Sequence, residues 1–390
     1  MKYKLRDYQA EASKRAVEFF LDKKRNWNAF EVIPTGGGKS VVIADIAANL
    51  KDKVIVFSPT KEILEQNYKK YCSYGFDNAS IYSASFKSKE ISDVTFATIG
   101  SVKAHPELFE SFKYIICDEC HLIRPDEGMY KKFFEQVKCK VLGFTATPYR
   151  LSSYQNYGSI LKFLTRTRDK IFKEMIYYVQ IDEMMNRGYL AKPHYYTCKP
   201  PEWSEGNLKL NSTCRDYTDK SVQQEYERVD FYSWLVSVVN RLLHPKRGGE
   251  RKGILVFTRF VKEAQRLADS ISCCEMVSGD TPMKERDAIL ERFKNGETKV
   301  LVNSQVLVVG FDYPALDTLV MAKPTRSLAV YYQILGRILR PSEGKDAWFV
   351  DLCGSYDLFG KVDEMQIIDQ NGKGKWVIMN GDKQLTNKFF

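Results

Sequence analysis

Short apolar blocks run along the chain, separated by longer stretches with helical spacing. Ala29 to Ile33, Lys53 to Ser58, Ile81-Tyr82, Val94 to Thr98, Tyr114 to Cys117 and Val141 to Thr145 are short and apolar, and read as strands. Between them, residues 4–22 place Leu5, Tyr8, Ala12, Ala16, Phe19 and Phe20 on one helical side. Residues 39–50 do the same with Val42, Ile43, Ile46, Ala47 and Leu50, and residues 60–73 also read as a helix. Strands alternating with helices predict an α/β domain, a parallel sheet covered on both faces, at about residues 1–150. The alternation is lost over 151–230, a basic and aromatic linker or insertion in which only 181–187, ending at Gly188, reads as a helix. It resumes over 231–355. There the pattern predicts helices at 230–243, 260–271, 282–294 and 327–338, a turn at Ser278-Gly279-Asp280, and strands at Ile254 to Phe257, Lys299 to Asn303 and Thr318 to Met321. Residues 356–390 predict a small C-terminal β tail, with Met365 to Ile368 and Trp376 to Met379 separated by Asn371-Gly372.

Composition supports this outline and narrows the function. A chain of 390 residues with 44% apolar residues can fill two cores. No uninterrupted apolar run is long enough for a membrane span, and the polar N-terminal stretch does not resemble a signal peptide. Nine scattered cysteines predict reduced thiols in a cytoplasmic compartment. Cys117 and Cys120 form a Cys-x-x-Cys with two acids between them, so no metal pair is expected there. The net charge of +10, from 59 basic and 49 acidic residues, favours a polyanionic partner.

The candidate chemistry begins at Pro34-Thr35-Gly36-Gly37-Gly38-Lys39-Ser40, between a strand and a helix. Three glycines let the main chain curl so that N–H groups from Thr35 to Gly38 face a polyphosphate, and the helix N-terminus adds partial positive charge. Lys39 is placed to reach the outer phosphates and Ser40 to hold Mg²⁺. Ile33 stands where the full P-loop pattern has its first glycine. Asp118-Glu119-Cys120-His121 follows a buried strand. In a P-loop domain this position suits Asp118 for Mg²⁺, Glu119 for activating the attacking water and His121 for linking the site to the second domain. Far along the chain, Gln333, Gly336, Arg337 and Arg340 recur at three- and four-residue spacing, which predicts one helix face. Arginines there could reach the γ-phosphate when the domains close.

With these motifs in order, residues 3–355 resemble a superfamily 2 helicase or translocase with a DECH-type box. The resemblance implies two RecA-like domains with ATP and Mg²⁺ in the cleft between them. Leu5-Arg6-Asp7-Tyr8-Gln9 resembles the adenine-reading motif, which implies that Gln9 bonds the adenine and Arg6 supports it. Phe57-Ser58-Pro59-Thr60 resembles motif Ia, which implies strand contacts from Pro59 and Thr60. Thr98-Ile99-Gly100-Ser101 is similar to a further backbone contact, through Thr98 and Ser101. Thr145-Ala146-Thr147 resembles motif III, coupling ATP to strand movement through Thr145 and Thr147. Val256-Phe257-Thr258 resembles motif IV, a strand contact through Thr258. Gly310-Phe311-Asp312 resembles motif V, and Gln333 to Arg340 resembles motif VI, which together bring Gly310, Asp312, Gln333, Arg337 and Arg340 to the nucleotide.

Within the superfamily the chain resembles the RadD-like group of DNA-repair ATPases, near the XPB-type translocases. It departs from that group in having no cysteine over residues 356–390, where the group carries a zinc element. The resemblance implies an ATP hydrolase acting on DNA, single-stranded or branched DNA being favoured over RNA. It further implies a monomer without membrane contact, in the bacterial nucleoid or a phage-infected cell. An RNA helicase, the motor of a restriction assembly and a non-motor scaffold stay open as alternatives. The basic, aromatic stretch 150–175 suits strand contact, through arginines on phosphates and tyrosines on bases.

Overall fold

The computed structural model describes residues 4–125, 128–154, 158–246, 249–304, 306 and 313–388. Its strands are β1 Asn28–Val32, β2 Val54–Phe57, β3 Ala79–Ser83, β4 Ser88–Lys89, β5 Val94–Ala97, β6 Tyr114–Cys117 and β7 Lys140–Thr145. They continue as β8 Tyr149–Tyr154, β9 Gly158–Phe163, β10 Phe172–Tyr178, β11 His194–Thr197, β12 Ile254–Thr258, β13 Cys274–Val277, β14 Val300–Ser304, β15 Thr318–Ala322 and β16 Trp348–Asp351. The last three are β17 Met365–Asp369, β18 Trp376–Asn380 and β19 Lys383–Gln384. The first sheet runs β10-β1-β7-β6-β2-β5-β3-β4 and is parallel except for the short β4. The second runs β11-β16-β15-β12-β14-β13 and is parallel throughout. The α/β class with two parallel sheets is therefore the observed one, and a three-stranded antiparallel sheet, β17-β18-β19, forms the C-terminal addition.

The central strands are the ones that read most plainly from the sequence, because helices bury them on both faces. Every residue of β2, β5, β12 and β15 is buried. The segment read as a linker contains more order than its pattern predicts. It supplies the hairpin β8–β9, an edge strand to each sheet (β10 and β11), and the helix Asp219–Arg228. The physical reason is edge position. β10 leaves Lys173 exposed, and β11 leaves His194, Tyr196 and Thr197 exposed, so neither shows an unbroken apolar run. Phe163, within the same basic and aromatic stretch, is core, packed 6.2 Å from the Phe30 ring of β1. No helix among the described residues is long and apolar enough to cross a membrane.

The 199–230 segment is held together internally by a buried carboxylate. Glu225 accepts hydrogen bonds from the Ser204 N–H at 2.9 Å, the Asn207 amide at 2.8 Å and the Arg228 guanidinium at 2.8 and 2.9 Å. The Arg228 bond, with those from Ser204 and Asn207, lowers its pKa to about 2. The native pKa lies below the ordinary carboxylate value, so the stabilisation is present above about pH 4.3 and is lost as pH falls toward 2. Glu225→Gln is expected to lower the neutral-pH melting midpoint by about 5 °C. Acid titration of both proteins checks it, since the gap should close as pH falls.

Candidate nucleotide site between the two domains

The glycine loop leaves β1 and enters the helix Lys39–Asn49. Gly36 and Gly38 adopt left-handed backbone, φ +83° and +78°, which a Cβ would strain. Gly37 is required by crowding, since an added Cβ would lie 2.7 Å from Ile33 Cγ2 and 2.9 Å from the Pro34 carbonyl. The residue that departs from the family pattern, Ile33, is thus part of the loop's packing. From the first helix, Tyr8 Oη and Gln9 Nε2 both donate to the Gly37 carbonyl, at 2.8 and 3.0 Å. Gln9 Oε1 accepts from the Arg6 N–H at 3.0 Å, closing the N-terminus of helix Asp7–Leu21.

Both ends of the Gln9 amide are therefore engaged by the protein, and Gln9 braces the loop. Arg6 lies 4.6 Å from the centre of the Tyr189 ring, and the Tyr8 and Tyr189 rings are 5.4 Å apart. The sequence left Tyr189 without a role, and the signal that could have found it is an aromatic residue directly after the Gly188 cap.

The acid pair stands at the end of β6. Asp118 Oδ2 accepts from Asn67 Nδ2 at 2.9 Å and Oδ1 from the Glu119 N–H at 2.9 Å. Burial, and then the neighbouring Glu119 charge, push the Asp118 carboxyl above the ordinary range, while Lys39 and the Asn67 bond oppose the shift. Glu119 adopts φ +49° and ψ +48°, a left-handed backbone seldom taken by a non-glycine residue. That turn brings its carboxylate to 3.4 Å from Lys39 Nζ and 3.3 Å from His121 Nδ1. Burial alone would raise the Glu119 pKa, but Lys39 and His121 outweigh it and hold the group below the usual carboxylate range. His121 Nδ1 also lies 2.9 Å from Thr145 Oγ1, and Thr145 Oγ1 accepts from the Thr147 N–H at 2.9 Å. His121 Nε2 is 3.5 Å from Gln333 Nε2, so acid pair, Thr145-Ala146-Thr147 stretch and second domain form one chain of contacts. Cys117 and Cys120 are buried with their thiols pushed up by burial. Cys120 packs where a Cβ at Gly143 would stand, 2.6 Å away.

The second domain meets this loop through Gly336. The helix predicted over 327–338 ends at Leu335, so Gln333 is helical whereas Gly336, Arg337 and Arg340 follow its end. They do not share one helix face. After Leu335 the backbone bonds shorten to three-residue turns, Arg337 N–H to the Ile334 carbonyl at 3.0 Å and Ile338 N–H to the Leu335 carbonyl at 3.1 Å. The chain turns instead, and Arg337 and Arg340 line the same cleft as Thr35, Gly36, Gly38, Lys39, Ser40, Asp118 and Glu119. Burial lowers both arginines to about 10, with Glu119 opposing the shift at Arg337, so both stay cationic at neutral pH. A Cβ on Gly336 would lie 2.5 Å from Thr35 Cγ2. Gly336→Ala is expected to hold the domains apart and cut ATP turnover at least about tenfold at an unchanged melting midpoint. Steady-state ATPase and calorimetry on the variant check this.

Residues expected at the nucleic acid are placed less uniformly. Thr60 caps the helix Lys61–Cys72, accepting from the Ile63 N–H at 3.4 Å, with Pro59 half-buried beside it. Thr98 and Ser101 are bonded to each other at 3.0 Å, and Ser101 Oγ also accepts from the Ala84 N–H at 2.9 Å. Thr258 corrects the expectation of a strand contact. It is 1% exposed at the end of β12, and its hydroxyl donates to the Phe260 carbonyl at 3.2 Å. Gly310 and Asp312 lie outside the described residues. The cleft also contains residues that the sequence reading missed: Ile63, Gln66, Asn67 and Lys70, all on one face of the Lys61–Cys72 helix. Their three- and four-residue spacing was the available signal.

Residues 2–150 match the model of the family described as Type III restriction enzyme, res subunit, and residues 234–342 match that of the helicase conserved C-terminal domain. The chain belongs to the superfamily 2 helicases. This superfamily 2 member is 26% identical to the DNA 3'-5' translocase XPB2 of Sulfurisphaera tokodaii, over 90% of this chain and 82% of that protein. It is 24% identical to the DNA 3'-5' helicase XPB of Mycobacterium tuberculosis, over 98% of this chain and 67% of that protein. It is 26% identical to a 51.5 kDa protein of a Lactococcus phage, over 88% of this chain and 69% of that protein. A Saccharomyces cerevisiae relative is covered over 52% of its length.

In fold, the superfamily 2 member is similar to the ATP-dependent Type ISP restriction-modification enzyme LlaBIII bound to DNA. The TM-score is 0.68 at 19% identity, over 90% of this chain and 28% of that one. It is also similar to S. cerevisiae Dbp5 bound to RNA and ADP BeF3, with a TM-score of 0.54 at 15% identity, over 88% of this chain and 83% of that one. Its two sheets are RecA-like helicase domains, and by class the protein is an ATP hydrolase.

Proposed function

We propose that this protein is an ATP-driven motor that moves along DNA, acting in repair, recombination or replication restart. The observation that carries the reading is the convergence of both domains on one cleft: Lys39, Asp118 and Glu119 from the first, Arg337 and Arg340 from the second. ATP phosphates would lie on the Thr35 to Gly38 main chain and Lys39. Glu119, held ionised by Lys39 and His121, would take the proton of the attacking water. Arg337 and Arg340 would stabilise the charge that develops on the γ-phosphoryl oxygens. Ser40 and Asp118 offer a hydroxyl and a carboxylate oxygen to the same cleft, a donor set that fits Mg²⁺ and would hold it. The metal supplies neutralisation of phosphate charge when bound. The arginines come from the second domain, so hydrolysis is tied to closure, and the contact from His121 to Gln333 carries the state of the site across the gap.

DNA as the track, single strands or branched forms first, is supported by the net charge of +10 and by relatives named as DNA translocases and helicases. A monomer working in the bacterial nucleoid or a phage-infected cell completes the reading. A second reading, the motor of a restriction assembly, draws on the restriction-subunit model matched by residues 2–150. ATPase rates without nucleic acid and with single-stranded DNA, forked DNA and RNA, at two salt concentrations, test the proposal. Stimulation by DNA that weakens with salt is expected. Stimulation by RNA alone, or by no nucleic acid, overturns the DNA motor, and activity only after adding a specificity subunit favours the restriction reading.

A further inference from the structure

Arg259 follows Thr258 at the end of β12, beside the stretch that resembles motif IV, yet its side chain is only 12% exposed. The 199–230 segment covers it. Arg259 Nε donates to Asp219 Oδ1 at 2.8 Å and Nη2 to the Tyr217 carbonyl at 2.7 Å, and Nη1 stands 3.6 Å from Asp216 Oδ2. Asp216 is the more telling partner. Its Oδ1 accepts from the main-chain N–H of Arg326 at 3.1 Å, and its Oδ2 from the Thr325 hydroxyl at 3.5 Å. Lys323 is close enough to feel both Asp216 and Asp219. A main-chain N–H, a hydroxyl and a guanidinium converging on two oxygens of one anion is the chemistry that binds a phosphodiester.

The carboxylate filling this place comes from outside the sheet, on the loop Asn211 to Tyr217. That loop also reaches the β8–β9 hairpin, where Ser159 Oγ of β9 donates to the Cys214 carbonyl at 2.8 Å. Cys214 has φ +52°, so the loop is held in a backbone form that a non-glycine residue seldom adopts. Asp219 is 74% exposed, so its ion pair with Arg259 holds weakly, and Asp216 meets the Arg259 guanidinium only at 3.6 Å, longer than a hydrogen bond. A polyanion that releases counterions on binding can displace them.

We propose that Asp216 is a displaceable plug: it occupies a phosphodiester site formed by Arg259, Thr325 and the Arg326 main chain, and a DNA backbone phosphate takes its place when a strand binds. The inference rests on the DNA-motor reading. The test is a fluorescence-anisotropy titration of the full chain with a labelled oligodeoxythymidine of about 20 nucleotides, at two salt concentrations. Asp216→Asn keeps the side-chain shape and removes the charge. It is expected to bind about fivefold tighter than wild type, with a salt slope steeper by about one contact. Adding Arg259→Ala to it should take the affinity below wild type.

A wild-type protein that binds DNA beside an Asp216→Asn protein that binds equally or more weakly overturns the plug and leaves the motor standing. Failure of both proteins to bind overturns both. Should the variant not fold, hydrogen exchange on the wild type decides: residues 211–219 exchange faster with the oligonucleotide present if the plug is displaced. Unchanged or slower exchange overturns it.

Discussion

Glu119→Gln is expected to lower the ATP turnover number by about 10²–10⁴-fold while ATP still binds. The side chain is the acceptor best placed for the proton of an attacking water. Its left-handed backbone turns the carboxylate into the cleft, 3.4 Å from Lys39 Nζ, and Lys39 and His121 keep it ionised against the cost of burial. A glutamine keeps the shape and cannot take the proton. The substitution also removes a negative charge facing Lys39 and Arg337, so the cleft becomes more positive and ATP affinity should rise. Steady-state turnover together with titration of a fluorescent ATP analogue measures both effects. Turnover equal to wild type would remove Glu119 from the reaction.

Arg337→Ala is expected to cost about 10³-fold in the hydrolytic step, the low end of the range for an arginine finger. Arg337 is buried beside Arg340 in the cleft that holds Lys39 and Glu119, and it keeps its charge there although burial lowers its pKa to about 10. In that low-dielectric position its charge acts on the γ-phosphoryl group with little screening. Arg337→Lys should recover only a small part of the loss, because the flexible ammonium lacks the planar fork of donors. Single-turnover hydrolysis isolates the chemical step from product release. If the loss appears only in multiple-turnover rates, Arg337 acts on release or domain motion instead of on the phosphoryl group.

Much of the nucleotide site was legible along the chain because its parts are local. A strand, a glycine-rich turn and a helix follow one another directly, and two adjacent acids follow a buried strand, so each group is visible as one short stretch. The central strands were legible for a similar reason. Burial on both faces demands unbroken apolar runs, as in Val54–Phe57 and Ile254–Thr258. Where a strand lies at a sheet edge, as Phe172–Tyr178 and His194–Thr197 do, water covers part of it and the run dissolves into mixed residues.

What the spacing could not show is where a side chain turns once neighbours distant in the chain compete for it. Gln9 has the sequence context of a base reader, yet the Gly37 carbonyl and the Arg6 N–H engage its amide. Thr258 has the context of a strand contact, yet the second sheet buries it. Gln333, Gly336, Arg337 and Arg340 have helical spacing, yet the helix ends at Leu335 and the chain turns toward Thr35. By itself the sequence determined the α/β class, the phosphate cradle and the acid pair, because adjacent residues build each of them. Only the tertiary structure decided which arginines enter the cleft, what braces the glycine loop and what covers Arg259, because each of these contacts joins groups that chain spacing leaves far apart.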